Sequence, residues 1–141
     1  MNIVQHFELE PVSGPTLSAY GRVRGAAVDR AATKALSFKE EVAHLGQQAE
    51  SVIIGGLTMT SAILESIMAV GDSQLLIDQV HWVQTRLPHD NLMSDHIVHR
   101  MRLLEDAFGQ LLSADHMTEI SPYFHFVVAQ LQAASSARSK Q

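Results

Sequence analysis

Apolar positions recur at helical spacing through most of the chain. Phe38, Val42, Leu45, Ala49, Val52, Ile53, Thr60, Ile63, Ile67 and Val70 fall in one stripe on a helical wheel. Ser37 and Glu40 have the spacing of a capping box, so the pattern predicts a helix over 37–70. Gly71-Asp72-Ser73 supplies a stop followed by an N-cap. Leu76, Val80, Val83 and Leu87 predict a helix over 74–87, which Pro88 ends. Asp90 can cap a helix over 91–112, with Met93, Ile97, Met101, Leu104, Phe108 and Leu111 inward and Asp95, His99, Arg102, Asp106 and Gln110 on a solvated face. Ser113 or Asp115 opens a turn. Ser121, with Pro122 at the first helical position, predicts a last helix over 121–134 whose stripe is Phe124, Val127, Val128 and Leu131. The Ala- and Arg-rich stretch 16–36 reads as a helix weakened by Gly21 and Gly25. No segment alternates with period two, so no sheet is expected. The fold class is all-α: a globin-like helical stack or a bundle of four to five helices with short connections. Residues 1–15, with Pro11, Gly14 and Pro15, read as an arm, 16–134 as a single helical domain and 135–141 as a polar tail.

Composition narrows the function classes. A chain of 141 residues with 46% hydrophobic content can build one core of its own. With no cysteine, thiol catalysis, disulfides and thioether attachment of a cofactor are excluded. The net charge of −5 provides no basic field for nucleic acid. The first residues lack the charged start and apolar run of a signal peptide, and no uninterrupted apolar stretch reaches the ~18 residues of a membrane span. The expected location is the cytoplasm, with no membrane partner.

Candidate chemistry is sparse. Eight histidines invite a metal or haem reading, and His96 and His99 share one side of a helix at i,i+3. No HExxH or paired ExxH pattern accompanies them, so no metal site is expected. Ser113-Ala114-Asp115-His116 holds the residue types of a triad, but neighbours at a helix entry point apart, and a capping role fits better. Phosphate-cradling glycine motifs are absent. No catalytic residue is expected.

Gly55-Gly56 is the informative irregularity. Two glycines inside a helix cost roughly 1 kcal/mol each relative to alanine, so tertiary structure must gain something there. Close approach of another helix at Gly56, a kink, and room for a flat ligand are the three readings. Trp82 and Leu75 project from a different side of their helix than its main stripe, and Phe126 is similarly displaced. Such a strip either packs on a second neighbour inside the chain or marks an interface. Arg100 sits at the inner edge of its helix, where it either snorkels past the core or pairs with a buried acid.

Residues 50–133 resemble phycobiliproteins. ILESIMAVGDSQLLIDQV is similar to the helix end, Ala-Gly-Asp and following helix of that family, with Val70-Gly71-Asp72 at the Ala-Gly-Asp position. LLSADHMTEISPYFHFVVAQL is similar to the family's last helix, with Tyr123-Phe124 at its Tyr-Phe pair. The resemblance implies a globin-like stack. It also locates a departure: the family's bilin-bearing Cys falls on Ile53, and its pigment-holding Arg and Asp fall on Gly55 and Gly56. Pigment-free bacterial sensor globins are the related group such a domain also fits.

The expectation is therefore a non-enzymatic, globin-like regulatory or sensory module. It acts through protein–protein contacts with another protein and with a second copy of itself, as a homodimer through Leu75, Trp82 and Phe126. No cofactor is required for folding. The alternative is a carrier or sensor that holds haem or a bilin non-covalently near Gly55 and Gly56, with His81 or His96 as the imidazole.

Overall fold

The computed structural model describes residues 9–87 and 93–139, with side chains to residue 133. The described residues form an all-α stack with no strand. Its helices are α1 (Gly14–Ala35), α2 (Lys39–Leu45), α3 (Ala49–Val70), α4 (Ser73–Arg86), α5 (Ser94–Leu111) and α6 (Ala114–Ser139), with a 3-10 turn at Gly46–Gln48 between α2 and α3.

One aromatic chain ties the stack together. Tyr20 of α1 stacks on Phe108 of α5 at 4.3 Å between ring centres, and Phe108 meets Phe124 of α6 at 5.9 Å. The Tyr20 hydroxyl donates to the Ser61 carbonyl of α3 at 2.8 Å. All three rings are fully buried, and each such side chain contributes on the order of 2 kcal/mol by burial. α1 packs along both α3 and α5, α5 packs along α6, and α4 lies on α6. The alanines of α1 make this close: Ala27, Ala31 and Ala35 are buried one turn apart. The composition that looked like a weak helix is thus a central one.

Residues 9–13 fold over the α3–α4 junction. Val12 N donates to Met68 O at 2.9 Å, and the Tyr123 hydroxyl donates to Glu10 O at 2.6 Å. Gly71 closes α3 in the left-handed region, at φ 76°, with Pro11 pressed against it. Asp72 then caps α4 by accepting from Gln74 N at 2.9 Å, as its position after the glycine predicts.

Four expectations are corrected. The single helix over 37–70 is two helices, broken at Gly46, whose φ of 70° and ψ of −143° lie outside the helical region. The Ser37–Glu40 capping box does not form. Phe38 is the N-cap, and the Ser37 hydroxyl donates backwards to Lys34 O at 2.6 Å. The last helix begins at Ala114, seven residues before the expected start at 121, because Ser113 caps it by accepting from His116 N at 3.3 Å. Pro122 is therefore interior to α6. It lies exposed, where water can bond the carbonyl its ring leaves free. The expected start of α5 at 91 and its Asp90 cap lie outside the described residues, and α5 begins at Ser94.

The fourth correction concerns the face of α3. Ala49, Ile53 and Ile67 of the expected stripe are buried, but the buried side continues through Leu57, Ser61, Leu64 and Met68, while Gly56, Thr60, Ile63 and Val70 of that stripe lie outside it. α3 is apolar on two faces, and only one is buried in the core. Accordingly Lys39–Val70, with a mean hydropathy of 1.7 over its most apolar window, is long and apolar enough to cross a membrane by length and composition. A core helix that is apolar on two faces, as α3 is, passes the same test.

Candidate functional site

The second apolar face of α3 lines a groove. α3 stays with α1 while α4, after the Gly71 turn, lies on α6, and the two helices leave a space of about 310 Å³ between them. α3 contributes Gly56, Met59, Thr60, Ile63 and Leu64. α4 contributes Leu76, Gln79, Val80, Trp82, Val83 and Arg86. Ile97 and Met101 of α5 and Val127 and Leu131 of α6 close the far side. The floor is core: Leu64, Leu76 and Leu131 are 2% exposed or less. At the rim Met59 is 57% and Trp82 50% exposed. The Arg86 guanidinium lies over the Trp82 ring at 5.3 Å, a cation–π contact that holds both at the mouth. Among the described lining residues Arg86 carries the only charge, and Thr60 and Gln79 add neutral polar groups. The described lining residues include no acid and no nucleophile paired with a base. The groove's described surface is suited to burying apolar groups.

Gly56 of the sequence-predicted residues lies in this wall, but not as a close-packing point. A Cβ built on it meets nothing within 4 Å, so the expectation of a pressing neighbour helix is overturned. Gly55 is exposed, with equal room, and does not line the groove. His81 is exposed on α4, and His96 is occupied edge-on with His44 at 5.5 Å between ring centres. Neither imidazole lines the groove, so the glycine and the histidines are not brought together. Trp82, expected on a strip apart from its helix's inward face, is a groove residue. Leu75 is exposed on the same helix. Phe126 is corrected from interface to interior: at 8% exposure it belongs to the core, because α6 is covered on that side too. Met59 is missed by the sequence reading, which followed the Thr60–Ile63 stripe; Met59 flanks it at one helical step.

Two polar clusters lie elsewhere. Glu41 of α2 accepts from His99 Nδ1 at 2.6 Å and from Arg100 at 3.4 Å, so of the two readings of Arg100 the structure shows pairing with an acid. Burial pushes the Arg100 guanidinium below its usual range, and Glu41 opposes that shift. The second cluster anchors the arm. Glu119 accepts from the Thr16 hydroxyl, from Ser13 N at 2.8 Å and from the Ser13 hydroxyl at 3.0 Å, and His116 Nδ1 meets Thr16 Oγ1 at 2.8 Å. The Thr16 hydrogen bond, followed by that from Ser13, holds the Glu119 carboxyl below the ordinary range. The Ser113–His116 run is thus spent on helix starts, not on a triad. Among the described residues no group of three His, Cys, Asp or Glu side chains gathers to hold a metal ion.

Fold and groove together define a class: an all-α domain with an apolar interhelical groove. No family model matches the sequence, and no curated protein is significantly similar to it.

Proposed function

We propose that the chain is a non-enzymatic, globin-like sensory or regulatory module that works through protein–protein contacts at the groove face. The observation that carries this reading is Trp82, half exposed beside an apolar groove whose floor is the core itself. Leu75 and Ile77 extend the apolar exposure along α4, at 42% and 36%. An aromatic anchor next to a well-packed depression is the arrangement in which contact energy concentrates. Closed two-fold pairing is the commonest way one such patch becomes covered, so a second copy is the first partner.

Sedimentation velocity of wild type and Trp82→Ala at tens of micromolar tests this. The expected outcome is a wild-type dimer and a variant shifted toward monomer. A monomeric wild type removes the dimer, and a variant that dimerises as tightly as wild type removes Trp82 from its interface. A second reading is a non-covalent tetrapyrrole carrier, favoured by the space at Gly56. A visible absorption band in the protein purified from cells supports it, and its absence removes it.

A further inference from the structure

Gly56 stands in the middle of a 22-residue helix, where glycine is disfavoured relative to alanine. Neither of the usual structural reasons applies. Its φ is not in the left-handed region, which among the described glycines only Gly46 and Gly71 adopt, and no neighbour approaches where a Cβ would be. The consequence of the missing side chain is room in the groove wall. One turn further on, Thr60 of α3 faces Gln79 of α4 across the groove, both half-buried and neutral. Among the described residues the side chain of neither has a hydrogen-bond partner. On the same helix the hydroxyls of Ser61 and Ser66 turn back to the Thr58 and Ala62 carbonyls, at 2.9 and 3.4 Å; that of Thr60 does not. Resting on the reading of the groove as the working surface, we infer that it binds a neutral, largely apolar small molecule of about ten non-hydrogen atoms with one uncharged hydrogen-bonding group, a hydroxyl or a carbonyl. Its body lies on the floor of Leu64, Leu76 and Leu131, and Thr60 and Gln79 meet its polar group.

Size, depth and polar chemistry select that occupant. The volume of about 310 Å³ lies at the lower end of the range for small-molecule sites. It equals about ten waters at about 30 Å³ each, which a molecule of about ten non-hydrogen atoms replaces. The floor is aliphatic and shut off from water, so the part of the occupant that reaches it is apolar. A hydroxyl and a carboxamide can each donate and accept, so they serve an alcohol or a carbonyl compound equally. Neither compensates an ion, and carrying an ion into an apolar cleft without a counter-charge is costly. Arg86, the one charged side chain among the described lining residues, is already engaged, over the Trp82 ring and in a further interaction, so the assignment asks nothing of it. The occupant is therefore uncharged.

Trp82 is the chain's single tryptophan and lines the groove, so its fluorescence reports occupancy. The full chain is titrated at neutral pH with phenylpropanol, propylbenzene, phenylpropanoate and phenylpropylammonium, with calorimetry in parallel. The four share one carbon skeleton and differ in the polar group. Phenylpropanol is expected to saturate one site, and each ion to bind at least about tenfold more weakly. Thr60→Val and Gln79→Leu, which remove the polar groups and keep the bulk, each cost phenylpropanol about fivefold, the worth of one hydrogen bond, and do not weaken propylbenzene. Gly56→Leu, which puts a side chain into the space, abolishes binding of both while circular dichroism stays that of wild type. An ion that binds as tightly as the alcohol overturns the inference. Wild-type affinity for the alcohol in both Thr60→Val and Gln79→Leu also overturns it, as does undiminished binding by a folded Gly56→Leu. If the Gly56 variant does not fold, the Thr60 and Gln79 variants decide. A protein that dimerises through Trp82 but takes up no phenylpropanol refutes the ligand and leaves the contact surface standing, whereas a monomer that binds phenylpropanol does the reverse.

Discussion

A methyl group added at Gly56 meets open space, whereas one added at Gly71 meets the ring of Pro11 at 2.6–2.7 Å on a backbone at φ 76°. The same substitution therefore has opposite signs at two glycines of one helix and its cap. Gly56→Ala is expected to stabilise the protein by about 1 kcal/mol, through helix propensity alone. Gly71→Ala is expected to destabilise it by about 2 kcal/mol or more, from the left-handed backbone and from displacing the arm. Urea unfolding of both variants reads the difference directly. A fall in stability for Gly56→Ala places a neighbour against that glycine after all.

At the scale of elements, α2 is the exception among the helices. It contains no buried residue, so hydrophobic burial does little to hold it. Glu41 holds it instead, clamped between His99 and Arg100 of α5, with Phe38 edge-on to His99 at 4.4 Å between ring centres. Removing that carboxylate frees the helix and leaves the Arg100 guanidinium, 6% exposed, without its acid. Glu41→Ala is expected to cost about 3 kcal/mol, the scale of breaking a buried ion pair from one side. Hydrogen exchange over 39–45 should accelerate more than over α3. A variant that unfolds uniformly, with α2 no faster than its neighbours, shows that α2 is held by something other than this clamp.

At the scale of the whole molecule, Tyr20 makes stability depend on alkaline pH. Burial foremost, then Glu65, pushes its hydroxyl well above the ordinary tyrosine range, with Arg24 opposing. Burial also raises Tyr123, with Glu10 adding to it. The sign follows from linkage. Each phenol keeps its proton in the folded state at a pH where the unfolded chain, at about 10, has lost it. The stabilisation is complete below pH 10 and is lost as pH rises beyond it, at about 1.4 kcal/mol per pH unit for each proton retained. Tyrosinate absorbance and helical circular dichroism are expected to change together above pH 10, in one transition. Ionisation of both tyrosines in a fully helical protein contradicts their placement in the core.

The sequence by itself determined what neighbours along the chain decide: that the fold is all-α, that Gly71-Asp72 ends one helix and caps the next, and that Leu76, Val80, Met101, Leu104, Phe108, Phe124 and Leu131 point inward. Caps and periodicity are local, so they can be read from spacing. Gly46 escaped the reading because its break is a backbone conformation that no apolar period records. The groove was half legible. The stripe through Gly56, Thr60 and Ile63 is real, but a wheel cannot distinguish an apolar face packed in the core from one that lines a space. Trp82 and Phe126 looked alike in sequence, yet one stands at a rim and the other inside. Tertiary structure alone decided these points, because they depend on α4 lying on α6 while α3 stays with α1. That choice is made by the summed packing of residues far apart in the chain, to which no local signal responds.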